Sequence, residues 1–253
     1  MTGLIAAREL RQLLRSPATW IIAAILQAFL AWYFLSSLEQ FIAIQAELAT
    51  RDNAPGVTGY LSFRYLAPAS AVLMLVCPLL TMRSLAGEYQ QRTFVLLQSA
   101  PVASFSIILG KFLGILCFVL LLVALSLVMP LSLLWMTTVD LGTLASAALG
   151  LMAVASLCTA TGVFFSSLTS NTMIAAIASI LALLLLWIIG NGSFGQSATD
   201  AWLHELSSSS HLGSFYQGLI DAGDIGYFLV LTCLFLGLAI LRLDSFRQSR
   251  LPA

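Results

Sequence analysis

Six uncharged apolar runs divide the chain, at 18–36, 66–82, 112–135, 141–168, 172–189 and 225–241. Each approaches the ~20 residues that an α-helix needs to cross a hydrocarbon layer about 30 Å thick. Inside that layer no water can satisfy backbone N–H and C=O groups, so runs of this length must be helices. A transmembrane barrel would instead show segments of about ten alternating residues. The expectation is an all-α polytopic membrane protein with six transmembrane helices, forming a single transmembrane domain over 1–253. The second run is the shortest and can begin as early as Leu61, with Arg64 snorkelling to the interface. Composition agrees, since 60% of residues are hydrophobic and 9% charged, which excludes a soluble fold. A formal net charge of +0 offers no basic face for nucleic acid.

Short loops rich in Lys and Arg stay on the cytoplasmic side. With six spans and both ends inside, Arg8, Arg11, Arg15, Arg83, Arg92, Lys111, Arg242, Arg247 and Arg250 are cytoplasmic, and only Arg51 and Arg64 lie outside. Glu39, Glu47, Asp52, Asp140, Asp200, Glu205, Asp221 and Asp224 all fall outside in the same arrangement. The first run exceeds the apolar stretch of a signal peptide and follows a leader containing Glu9, so it reads as an uncleaved span. Cys77, Cys117, Cys158 and Cys233 fall within spans, as small apolar residues rather than a disulfide framework.

By these boundaries no span contains a charged side chain, whereas ion-coupled transporters keep such groups despite a cost of at least ~2.5–3.5 kcal/mol each. Pro78 and Pro130 lie near span ends and mark local kinks rather than broken-helix ion sites. If the protein moves a molecule, its energy comes from elsewhere.

Two segments at the cytoplasmic end suggest how. In 1–17, Leu4, Ile5, Leu10, Leu13 and Leu14 form an apolar stripe, Arg8, Arg11 and Arg15 take other faces, and Pro17 breaks the pattern, which describes a helix on the inner membrane surface. In 83–111, Glu88 and Arg92 stand i,i+4 on a short helix, Phe94, Leu96 and Leu97 provide apolar anchors, and Pro101 ends it. Docking into a protein groove and resting on lipid both fit such a helix.

The largest outer connection is 190–224. Gly190, Gly192 and Gly195 break the fifth span, 199–206 reads as a short helix, and Ser210 can cap a second one carrying Leu212, Phe215, Tyr216, Leu219 and Ile220 on one stripe. Asp200, His204, Glu205 and His211 lack the i,i+4 histidine spacing of a zinc motif and read as solvated polar residues. Ala145, Gly150, Ala153, Ser156, Ala160, Ala175 and Ala178, with Gly110-x-x-x-Gly114, permit close helix approach, within the subunit or at a seam between subunits.

Glu88, Thr93 with Leu96-Leu97, Ser99-Ala100-Pro101-Val102 and Gly110-Lys111 resemble the signature of ABC-2 type permeases. Arg8-Glu9-Leu10 with Arg15-Ser16-Pro17 resembles the start of the same family. His211-Leu212-Gly213-Ser214-Phe215, Gly218-Leu219-Ile220-Asp221, Asp224 and Tyr227-Phe228 resemble the last loop of its gliding-motility-associated, GldF-like group. Arg92 stands where the pattern often has glycine, and Val95 where it often has glutamate.

The resemblance implies an ABC-2, type V exporter-like permease fold with an N-terminal interfacial helix and a cytoplasmic coupling helix. It implies that Glu88, Arg92, Phe94, Leu96, Leu97 and Pro101 seat on a separate ATPase, and that His211, Phe215, Tyr216 and Asp221 belong to an outer gate. Implied partners are that ATPase, a second permease of the same or a related kind with or without an auxiliary ectodomain protein, and membrane lipid. The implied location is a bacterial inner membrane, with both termini cytoplasmic. This chain has no phosphate loop, since Gly110-Lys111 is followed by Phe112 and position 105 is Phe. ATP and Mg would therefore be bound by the partner, and no catalytic, cofactor or metal residue is expected here. Lack of a capture domain favours export. A membrane anchor or assembly component of an envelope or motility machine is the alternative, and a secondary transporter or channel is disfavoured by the uncharged spans.

Overall fold

The computed structural model describes residues 2–48, 57–90, 103–135, 140–189 and 207–248. Ten α-helices are formed among them: α1 Thr2–Arg15, α2 Pro17–Leu48, α3 Val57–Leu61, α4 Ala67–Thr81, α5 Ala86–Gln90, α6 Ser104–Ser132, α7 Leu141–Leu168, α8 Thr172–Ile188, α9 Ser208–Tyr216 and α10 Ala222–Gln248. No strand occurs among the described residues. Five stretches are long and apolar enough to cross a membrane, namely α2, the rod from α3 through α5, α6, α7 and α10. The fifth apolar run forms α8, which at 17 residues is shorter than these.

α7 is the centre of the bundle and packs against α4, α6, α8, α9 and α10. Val154, Ala155, Leu157 and Cys158 are completely buried. Between apolar helices in lipid there is no hydrophobic drive to associate, so close approach depends on small side chains. At Gly162 the approach is tightest, because an added Cβ would run into the side chain of Thr81 on α4. Ser156 and Thr232 face each other at 3.5 Å between α7 and α10, and Phe164 packs on Phe235 with ring centroids 5.7 Å apart.

The helix ends follow local chemistry. Asp140 caps α7 by accepting from Gly142 N (3.0 Å), and Asn171 caps α8 by accepting from Met173 N (3.0 Å); each satisfies an otherwise orphan first-turn donor. Between α3 and α4 the chain stays helical but widens into a π-helical turn, Ser62–Leu66. Pro68 follows within the first residues of α4. Its ring cannot donate and would collide with the carbonyl four residues back, so the wider turn relieves the conflict at Arg64.

Four expectations are corrected here. The stripe assigned to α1 is rotated, for Leu4 is 74% and Leu14 39% exposed, while Ile5, Glu9 and Leu13 turn inward. The third apolar run begins eight residues before Phe112, at Ser104, which carries Lys111 inside a helix and buries it. Ser207 rather than Ser210 caps α9, accepting from Ser209 N. Leu219 and Ile220 lie beyond α9 and are exposed. Gly218, at φ +83°, ends that helix, with Gly218 N donating to Phe215 O and Leu219 N to Ser214 O. This is a Schellman stop, which a glycine at positive φ accommodates without a Cβ penalty.

Candidate functional site

The two ends of the bundle are chemically different. At the end holding α1, the start of α6 and the turn after α4, Lys111 projects from α6 into a protein interior. Its Nζ donates to Glu9 Oε1 on α1 (2.5 Å), Ser84 O (2.7 Å) and Glu88 Oε1 on α5 (2.8 Å). An ammonium has three donors, and all three are used. Only 2% of the Lys111 side chain is exposed, against 11% for Glu9 and 20% for Glu88. A charge this deep is tolerated only when paired and hydrogen-bonded, and here one cation holds two carboxylates from different elements.

Glycine makes this geometry possible. A Cβ at Gly110 would lie 2.7 Å from Ile5 Cβ, and one at Gly114 would lie 2.6 Å from Ala6 O and 2.7 Å from Glu9 Cβ. The Gly110-x-x-x-Gly114 pair therefore seats α1 against α6, rather than another span, and brings Glu9 to Lys111. Trp20 Nε1 closes the α1 to α2 corner by donating to Leu14 O (2.7 Å).

The turn leading into α5 is fixed from a third side. Ser166 Oγ on α7 accepts from Leu85 N and Ala86 N (both 3.0 Å) and donates to Met82 O (3.1 Å). The segment leaving α4 is thus tied to α1 and α6 through Lys111 and to α7 through Ser166. Beside it, a polar cavity of about 470 Å³ is bordered by Arg8, Glu9, Arg83, Ser84, Glu88 and Thr172.

Among the residues singled out from sequence for ATPase coupling, Glu88 is in this cluster, bonded to Lys111; its expected i,i+4 partner Arg92, and Phe94, Leu96, Leu97 and Pro101, lie outside the described residues. Glu9, Lys111 and Ser166 were not assigned roles by sequence reasoning. Glu9 carried a usable signal, since it stands four residues from both Ile5 and Leu13 and so on the inward face of an amphipathic helix.

At the opposite end, α9 leans on α7 and α10. Phe215 is buried over Gly150, where a Cβ would come within 2.9 Å of Phe215 Cβ. Tyr216 is buried beside it. His211 Nδ1 meets Asp224 Oδ1 at 2.6 Å, Ser214 Oγ donates to Asp224 Oδ2, and the His211 ring stacks on Tyr227 with centroids 4.2 Å apart. Asp224 sits in the first turn of α10, where the helix dipole favours a carboxylate. Asp221 stands apart from this latch and caps α10 by accepting from Gly223 N (3.2 Å). Of the outer residues expected to act together, the structure joins His211, Phe215 and Tyr216 on α9 and leaves Asp221 at a helix end. Asp200, His204 and Glu205 lie outside the described residues, and no group of three metal-ligating side chains occurs among those described.

The sequence model of the ABC-2 family of transporter proteins matches residues 4–245. The chain belongs to the ABC-2 transporter family. No curated protein matches it. The matched region runs from α1 into α10 and includes both clusters. As an ABC-2 permease the protein is a multi-pass transmembrane transporter subunit, of a kind that is generally non-catalytic and generally works with an ABC ATPase.

Proposed function

We propose that this chain is the permease half of an ABC exporter of a bacterial inner membrane, driven by a separate ATPase that binds ATP and Mg. The observation that carries the reading is Lys111, which links Glu88, at the mouth of the connection between α5 and α6, to Glu9 on α1 and to the α6 backbone at once. A push on that connection is met by three elements tied together rather than by a loose loop. Nucleotide-driven closure of the ATPase would thereby tilt α1 and α6 and shift the inward and outward populations of the path.

Six spans fit this reading. At 1.5 Å per residue α8 is about 26 Å long, within the lower range for a transmembrane helix. Chain direction then places α1 and the end of α10 on one side, together with Arg8, Arg11, Arg15, Arg83 and Arg242, which is the cytoplasmic side by the positive-inside rule. A second permease copy or relative completes the path. The α9 to α10 latch contains the residues that resemble the GldF-like group, and we assign the chain to that branch.

The test is purification from native membranes in mild detergent, scoring co-purifying chains and ATP hydrolysis. A stoichiometric ATPase that is lost on combined Phe94→Ala and Leu97→Ala substitution supports the reading. Absence of any ATPase and of nucleotide hydrolysis overturns it in favour of an envelope-machine anchor.

A further inference from the structure

The outer end holds a cavity of about 510 Å³ between α2, the π-helical turn, α8 and α9. Its volume is in the range of small-molecule sites. Tyr33, Phe63 and Trp187 line it with aromatic surface, and Ala67 and Ala71, one turn apart on α4, leave a methyl-walled floor. Among the described residues bordering it, Arg64 is the only charged one. Arg64 forms no ion pair among the described residues. Its one hydrogen bond there runs from Nη2 to Gln40 Oε1 (2.7 Å), an amide that orients the guanidinium without neutralising it. The remaining donors of the fork suit a phosphate or carboxylate.

A second observation comes from the other wall. Tyr216 borders the cavity and is 4% exposed, so it closes that wall with its hydroxyl buried beside Ser70. The neighbouring Ser70 hydroxyl is donated to Ala67 O (2.6 Å). A third is the π-helical turn itself, a distortion that recurs at functional sites and that here carries both Phe63 and Arg64.

We propose that this cavity binds an anionic amphiphile, with its phosphate or carboxylate on Arg64 and its apolar chain along Ala67, Ala71 and the aromatic wall. A free anion would leave the aromatic surface unused, and a neutral hydrocarbon would leave the Arg64 guanidinium unmatched. Arg64 lies seven residues from the start of α3, about 10 Å along the rod from its outer end. That depth suits a headgroup held near the outer interface with its chain directed inward. That the amphiphile is cargo rests on the transporter reading above; that it binds does not.

Trp187 provides the readout. The full chain, reconstituted without nucleotide in phosphatidylcholine nanodiscs, is titrated with phosphatidic acid carrying brominated acyl chains, and tryptophan quenching is followed. The expected result is stronger quenching by brominated phosphatidic acid than by brominated phosphatidylcholine, with the difference lost in Trp187→Phe. Arg64→Gln weakens the acid's apparent affinity about tenfold, whereas Arg64→Lys, which keeps the charge, restores most of it. Gly213→Leu fills the space instead of removing the charge, since nothing lies within 4 Å of a Cβ there, and it abolishes the preference in a helix that tolerates leucine. Equal quenching by both lipids, an unchanged preference in Arg64→Gln and Gly213→Leu, or displacement by inorganic phosphate alone would each overturn the proposal. None of these outcomes depends on an ATPase, so they leave the coupling reading to its own test.

Discussion

The ammonium of Lys111 lies 2.5 Å from the carboxylate of Glu9, across 102 positions of sequence, and this pair fixes the N-terminal helix to the bundle. Lys111→Met should destabilise the protein by about 3–5 kcal/mol, because it strands buried carboxylate rather than merely deleting a contact. Glu9→Gln should cost less, since Lys111 keeps Glu88 and Ser84 O. Thermal unfolding in detergent of both single variants and of the double variant should show strong non-additivity; additive losses would mean that the pair does not act as a unit.

Gly114→Leu should push α1 off α6, because the new side chain meets the Ala6 backbone, which cannot swing aside. The loss is expected at about 3 kcal/mol. Limited trypsin digestion would report it directly, with Arg8, Arg11 and Arg15 cleaved faster in the variant than in the parent.

Ser166→Ala should leave Leu85 N and Ala86 N without an acceptor in a buried turn, at about 1–3 kcal/mol. Hydrogen exchange at those two amides is the measurement, and their protection should fall while that of the α7 core is retained. In a reconstituted complex the same variant should lower transport-coupled ATPase stimulation more than basal hydrolysis.

The hydrogen bond from the Thr143 hydroxyl, and after it the Gly142 backbone N–H, hold the Asp140 carboxyl below its usual range. A carboxylate with a depressed folded-state pKa stabilises the fold fully above its unfolded value of about 3.9, and that contribution disappears as pH falls through the lower folded value. Asp140→Asn keeps a good cap but no titrating charge. The variant's unfolding temperature should therefore fall less than the parent's between neutral pH and about pH 3.

Asp224→Asn should loosen the seat of α9 on α10, since one carboxylate serves both His211 and Ser214. Amide exchange across 208–216 should rise while that across α7 stays low. Unchanged exchange in α9 would show that Phe215 over Gly150 suffices to hold it.

The spans were legible because hydrocarbon demands uninterrupted apolar length, and that demand is written locally in every run. Small residues at 110, 114 and 150 likewise announced close packing. Their partners were not legible: Gly110 and Gly114 receive α1, and Gly150 receives the ring of Phe215, since a glycine specifies that something approaches but not what. Lys111 was misplaced for a related reason. A lysine beside an apolar run looks like a loop residue until a carboxylate from elsewhere makes its burial tolerable.

Sequence alone determined that the chain is an all-helical membrane protein of this family, with its positive charge biased to one end, because hydrophobic length and charge position act residue by residue. Only the tertiary structure decided which charges meet, that Ser166 holds the turn into α5, and that Arg64 and Tyr216 border one cavity. Those relationships arise where helices far apart in sequence cross, and the free energy of a buried charge or hydroxyl depends on the neighbours that the crossing supplies.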